Sequence, residues 1–160
     1  MKFRRLLRGV AVLAVILASD AAAFDYARYK GASLDEILER QRPPAGADIY
    51  RGENLRLDVT LVRQAYDCNT GFLKRTMMMT GIDRDRIDKV PMSKCIQVKS
   101  PKGQVVQLFI QNVVAEFLAQ EVSLGSPVTI FVLLIFMDTN GPGMLVNEFD
   151  AGNPASRQPG

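Results

Sequence analysis

The chain has no histidine at all. That removes the commonest general acid–base group. Two cysteines and no imidazole fall short of a four-ligand Cys/His set, so no metal and no cofactor are expected. Nucleophile motifs are missing too. Ser33, Ser93, Ser100, Ser123, Ser126 and Ser156 stand alone, and pairs such as Asp35/Glu36 or Glu148/Asp150 have no apolar pocket to raise one pKa. The expectation is a protein that is not an enzyme.

Long apolar runs are also scarce. Val128–Met137 is polar only at Thr129, yet it falls well short of the roughly 20 residues a membrane-crossing helix needs. The N-terminus carries a shorter run, Val10–Ala18, behind Lys2, Arg4, Arg5 and Arg8 and ahead of Ala21-Ala22-Ala23. That order reads as a secretory signal over residues 1–23, cleaved after Ala23, rather than an uncleaved anchor. No transmembrane span is expected once it is removed.

An excess of one charge is missing once the leader is set aside. It holds four of the 20 Lys and Arg and one of the 17 Asp and Glu, leaving sixteen of each sign. The basic character belongs to the leader and gives no argument for a nucleic-acid partner.

What remains is an exported chain with Cys68 and Cys95, an even count that reads as one disulfide in an oxidising, periplasmic compartment. Residues 24–50 read as a short helix on a linker. Ser33 and Glu36 fit a capping box, Leu34, Ile37 and Leu38 share a face, and Arg42-Pro43-Pro44 ends the helix. Leu55, Leu57, Val59 and Leu61 alternate with Arg56, Asp58 and Thr60, the mark of a half-buried strand over 55–66. Lys94–Lys99 and Gln104–Ile110 read as strands about the turn Ser100-Pro101-Lys102-Gly103. Spacing turns helical from Asn112, a candidate N-cap, to Glu121, with Leu124-Gly125 as the stop. Val128–Met137 is rich in β-branched and aromatic residues, and the turn Asp138–Gly143 leads to a last strand, Met144–Phe149. Between them, 69–94 is ambiguous: Phe72-Leu73 and Thr76–Thr80 suit a strand, Ile82–Val90 a helical turn. Residues 151–160 read as a disordered tail.

The sequence therefore specifies a mainly β fold with one or two helices. Five strands, with a helix between the third and fourth, resemble the OB-fold, a small Greek-key barrel, over residues 51–150. Another small α+β roll would give a similar string. The resemblance implies ligand contact on the faces of strands two and three and in the loops after strands one and four. It also places Cys68 and Cys95 at neighbouring strand ends, where a bridge fits.

Two surfaces stand out. Val128–Met137 is apolar on both faces. With Val128, Ile130, Val132, Leu134 and Phe136 turned inward, Phe131, Leu133, Ile135 and Met137 need cover from a helix or a partner. The segment 69–94 carries Lys74, Arg75, Arg84, Arg86, Lys89 and Lys94 against three aspartates, so it could hold an anionic oligosaccharide, lipid headgroup or other envelope polymer, unless its charges pair among themselves. Phe72 is its one aromatic, too little for stacking on bases. Met77-Met78-Met79 reads as core filling rather than a copper site. The expected function is a non-catalytic periplasmic interaction or assembly module of a cell-envelope complex, with another envelope protein, or a second copy of the chain, as partner.

Overall fold

The computed structural model describes residues 23–47 and 49–152. The leader expected at 1–23 and the tail expected at 151–160 lie, but for Ala23, Ala151 and Gly152, outside the described residues. In chain order, a single 3-10 turn at Tyr26–Arg28 is followed by strand β1 (Lys30–Gly31), helix α1 (Leu34–Glu39) and strand β2 (Ile49–Asp67). Then come helices α2 (Gly71–Met79) and α3 (Arg84–Lys89), strands β3 (Lys94–Lys99) and β4 (Val105–Ile110), helix α4 (Asn112–Glu121), and strands β5 (Pro127–Asp138) and β6 (Gly141–Asp150). The protein is mainly β, with all six strands in one sheet.

Five of those strands join in a ring. The second half of β2 pairs antiparallel with β3 and its first half with β5. Tight hairpins join β3 to β4 and β5 to β6. The parallel pairs Phe109↔Leu145 and Ile110↔Val146 then close the circuit. Numbered within the ring, strands β5, β2, β3 and β4 lie in the spatial order 4-1-2-3, which defines a Greek key. Helix α4 makes the crossing from the third ring strand to the fourth.

The alternation in β2 does what period two requires. Leu55, Leu57, Val59 and Leu61 enter the main core with Ile96, Val98, Leu108, Ile130 and Val132. Each such side chain contributes about 1.5–3 kcal/mol on burial. Helix α4 adds Val114, Ala115 and Leu118, and α1 adds Leu34 and Ile37. The expected helix caps form differently. Ser33 makes no side-chain cap bond. Instead the buried Asp35 carboxylate accepts from the Lys102 backbone N–H at 3.1 Å, and Lys102 Nζ donates to Glu39 at 2.7 Å, latching α1 to the β3–β4 turn. Gln111, not Asn112, is the N-cap of α4, while the Asn112 side chain accepts from the Ser93 N–H at 3.0 Å.

The 69–94 segment is helical in both of its halves, although the first suits a strand by composition. Leu73, Thr76 and Met77 fall at helical spacing, and all three are buried. With Ile87 and Met92, Leu73 and Met77 form a second apolar cluster on the outside of the ring, against Ile135, Phe136 and Leu145. Core filling thus accounts for Met77 and Met92, whereas Met78 and Met79 are exposed.

Strict alternation also fails along β5. Opposite β6, Leu134 pairs with Met144 and Phe136 with Gly143, so Ile135 is an extra residue in a bulge. A one-residue slip turns the remainder of the strand to the other face. Ile135 and Phe136 therefore both face the outer cluster, and Met137 lies in the main core. This reverses the expected placement, with Phe136 inside and Met137 outside. Gly143 permits the arrangement, because a Cβ there would overlap the Phe136 ring.

Candidate functional site

The surface expected at Phe131, Leu133, Ile135 and Met137 is not an open one. Phe131 keeps 5% of its surface exposed, beneath an aromatic cap of Phe24, Tyr26 and Tyr29 with ring centroids 5.8, 4.9 and 5.5 Å away. Strand β1 anchors that cap by pairing parallel with Leu55 and Arg56. Ile135 lies under α2 and α3, Leu133 is half-buried beside it, and Met137 is in the main core. The physical reason is economy of apolar area: the chain covers the second face of β5 with its own flanking segments.

The six cations of 69–94 are not brought onto one groove. Lys74 and Arg75 lie on α2, Arg84, Arg86 and Lys89 on α3, and Lys94 begins β3. Arg84 pairs with Asp88 at 3.6 Å and Lys94 with Asp67 at 2.8 Å. Both ends of the segment are held by the Cys68–Cys95 disulfide, whose Cα atoms stand 5.8 Å apart, with Cys95 fully buried. A bridge closing a span of 27 residues stabilises by about 3–4 kcal/mol in the chain-entropy account.

A concavity lies elsewhere, where the ring barely closes. On the side away from β3, β4 meets β6 at Phe109 and Ile110 and nowhere else. Ser100 and Gln104 share a backbone bond (2.8 Å), and Gln111 N–H donates to Val146 O at 3.3 Å. Antiparallel alternation from those points turns the N–H and C=O groups of Val105 and Gln107 away from β3, toward β6. No strand meets them there. Continued in the same register, the ladder would need the Val105 carbonyl to accept from the N–H of residue 142, and Pro142 has none.

The result is a cleft of about 380 Å³. One wall is β4, with Val105, Gln107 and Phe109, and the other is the β5–β6 hairpin, with Asp138, Asn140, Pro142 and Gly143. Phe136 also lines it, and Leu38 and Arg42 form its rim. Val105 is 56% exposed, a β-branched side chain with nothing on it. Asp138 is committed to the turn, accepting from the Asn140 and Gly141 N–H groups at 2.7 and 3.0 Å. Arg42 reaches the same turn, donating to the Thr139 carbonyl at 3.3 Å.

Two further hollows flank other parts of the surface. One of about 580 Å³ is lined by Arg40, Arg42, Pro43, Pro44 and Arg51, and one of about 200 Å³ by Phe24, Arg28, Tyr29 and Asn54. None of the six 69–94 cations lines any of the three. Among the described residues no cluster of acidic or cysteine side chains is placed to hold a metal, and no helix is long and apolar enough to cross a membrane. Sequence reasoning misses the cleft, although Gly141-Pro142-Gly143 at the start of a strand is a signal that a ladder is interrupted.

No family model, curated protein or solved structure matches the chain.

Proposed function

We propose that this protein is a non-catalytic, OB-like binding module of the periplasm that takes up an extended segment of an envelope protein in the β4–β6 cleft. The observation that carries this reading is the open seam itself. A row of unpaired backbone groups is a template for another strand, and strand addition to a sheet edge is a recurring way to bind peptides. The Greek-key ring, with α4 between its third and fourth strands, supports the OB-like assignment. In such a fold the third strand and the loop after the fourth contact ligand, and here these are β4 and the turn that carries Asn140, both lining the cleft. The disulfide supports an oxidising compartment, in keeping with the leader expected at 1–23. An anionic polymer held by 69–94 has less behind it, since two of the six cations are already ion-paired.

Val105→Pro tests the reading. It removes an N–H that serves no ladder bond at the first residue of a strand, where proline is tolerated. The variant should fold as the wild type does by near-ultraviolet circular dichroism. A photoreactive group at Asn140 in the otherwise wild-type chain should crosslink in cells to one mapped segment of one envelope protein. The same group at Val113, on the exposed side of α4, should not, and Val105→Pro should abolish the Asn140 crosslink. Equal crosslinking from Asn140 and Val113, or a crosslink that survives Val105→Pro, would sink the proposal.

A further inference from the structure

Arg42 lines both the cleft and the neighbouring hollow, so the two concavities adjoin at this residue. The hollow is lined by Arg40, Arg42 and Arg51 together with Pro43, Pro44 and Ala47, and among the described residues no carboxylate lines it. Arg40 is already matched, since its Nη1 donates to both Glu53 carboxylate oxygens at 3.0 and 3.1 Å. Arg42 and Arg51 have no carboxylate within ion-pair distance among the described residues. Arg42 has one hydrogen bond, to the Thr139 carbonyl, which uses one of its five donors. Pro43 is buried, so the linker that carries Arg42 is fixed at that point, while Arg51 stands on β2.

We infer that the segment bound in the cleft carries acidic side chains where it leaves past Arg42, and that Arg42 and Arg51 select for them. This rests on the proposed strand addition and deepens it. The cleft supplies backbone pairing, which is indifferent to sequence, while the arginine pair supplies discrimination. A guanidinium fork matches a carboxylate in two parallel hydrogen bonds, which fixes geometry as well as charge. A basic segment would be repelled at the same point.

The test is selection of a displayed random dodecapeptide library on the leader-free protein, beside two variants, Arg42→Gln/Arg51→Gln and Val105→Pro. The wild type should enrich peptides with a β-favouring stretch next to two or more acidic residues. Their affinity should fall about two- to fivefold per arginine replaced, the scale of an exposed ion pair. The Gln variant keeps size and polarity, and its circular dichroism should match the wild type. Enrichment of peptides without acidic flanks, lost on Val105→Pro, would overturn this inference and leave the strand-addition reading standing. No enrichment over a bare support would overturn both. Dextran sulfate displacing the acidic peptides at equal charge concentration would assign the arginines to polyanions in general, and would likewise overturn the inference.

Discussion

The two edges of β6 are treated in opposite ways. Along one, β5 pairs with it from Asp138↔Gly141 to Thr129↔Asp150; along the other, β4 pairs at two positions. The outer face of the well-laddered side is roofed twice, by the Phe24–Tyr29 aromatic cap at Phe131 and by α2 and α3 at Ile135 and Phe136. The poorly laddered side is covered only at its Phe109–Leu145 end, and at the other end Val105 is 56% exposed. The difference reflects what each surface would cost if left bare. Exposed apolar side chains cost in proportion to area, whereas backbone groups at an open edge remain hydrated and lose little. Covering segments therefore collect where side chains are apolar. An unzipped seam survives where only backbone is at stake, and it remains adhesive.

Phe136 sits at the border between the two sides, touching Phe72 edge-on at 4.9 Å and lining the cleft as well. Phe136→Ala should be the most damaging single change, destabilising by about 3–5 kcal/mol in urea unfolding, as for other large-to-small aromatic replacements in a core. A loss below about 1 kcal/mol, small for such a replacement, would mean that the α2–α3 roof does not depend on this ring, and the contrast between roofed and bare sides would weaken.

Gly143→Ala sharpens the same point at smaller scale. The added methyl must displace the Phe136 ring, so a cost of about 1–3 kcal/mol is expected. In a Phe136→Ala background that cost should nearly vanish, because the two sites share one space. Additive losses in the double variant would place the strain elsewhere.

How much of this fold is legible in the sequence depends on how far apart the deciding residues lie. The Leu55–Leu61 alternation and the Val114–Leu118 spacing are local, and they place α4 and the C-terminal two thirds of β2. The first part of β2, Ile49–Asn54, lacks alternation and becomes strand by pairing with Leu133–Met137 of β5. Helix α2 hides behind Met77-Met78-Met79, since a run of apolar residues fits either period until packing selects one. The exchange of Phe136 and Met137 comes from a bulge set by register with β6, which no local pattern in β5 encodes. The cleft is harder still, because it depends on Val105 facing Pro142 across a seam. Likewise, nothing in Phe24, Tyr26 and Tyr29 names Phe131 as their partner.

That aromatic cap offers the mildest test. Burial, followed by the negative charges of Glu148 and Asp150, holds the Tyr26 phenol above its ordinary value of 10.0. The folded state favours the protonated phenol, so the associated stability is intact below pH 10.0 and fades as pH climbs through the raised folded value. Tyr26 is 53% exposed, so water screens most of this and the effect on stability is small. The titration is easier to see. Ultraviolet absorbance of the tyrosinate, with Tyr26→Phe subtracted from wild type, should place this phenol later than a free tyrosine. Phe131→Ala should return it toward the ordinary value. If Tyr26 titrates normally in the wild type, the cap is not seated on Phe131. The outer face of β5 is then as bare at that end as the seam is, and it would compete with the cleft as a place for a partner to bind.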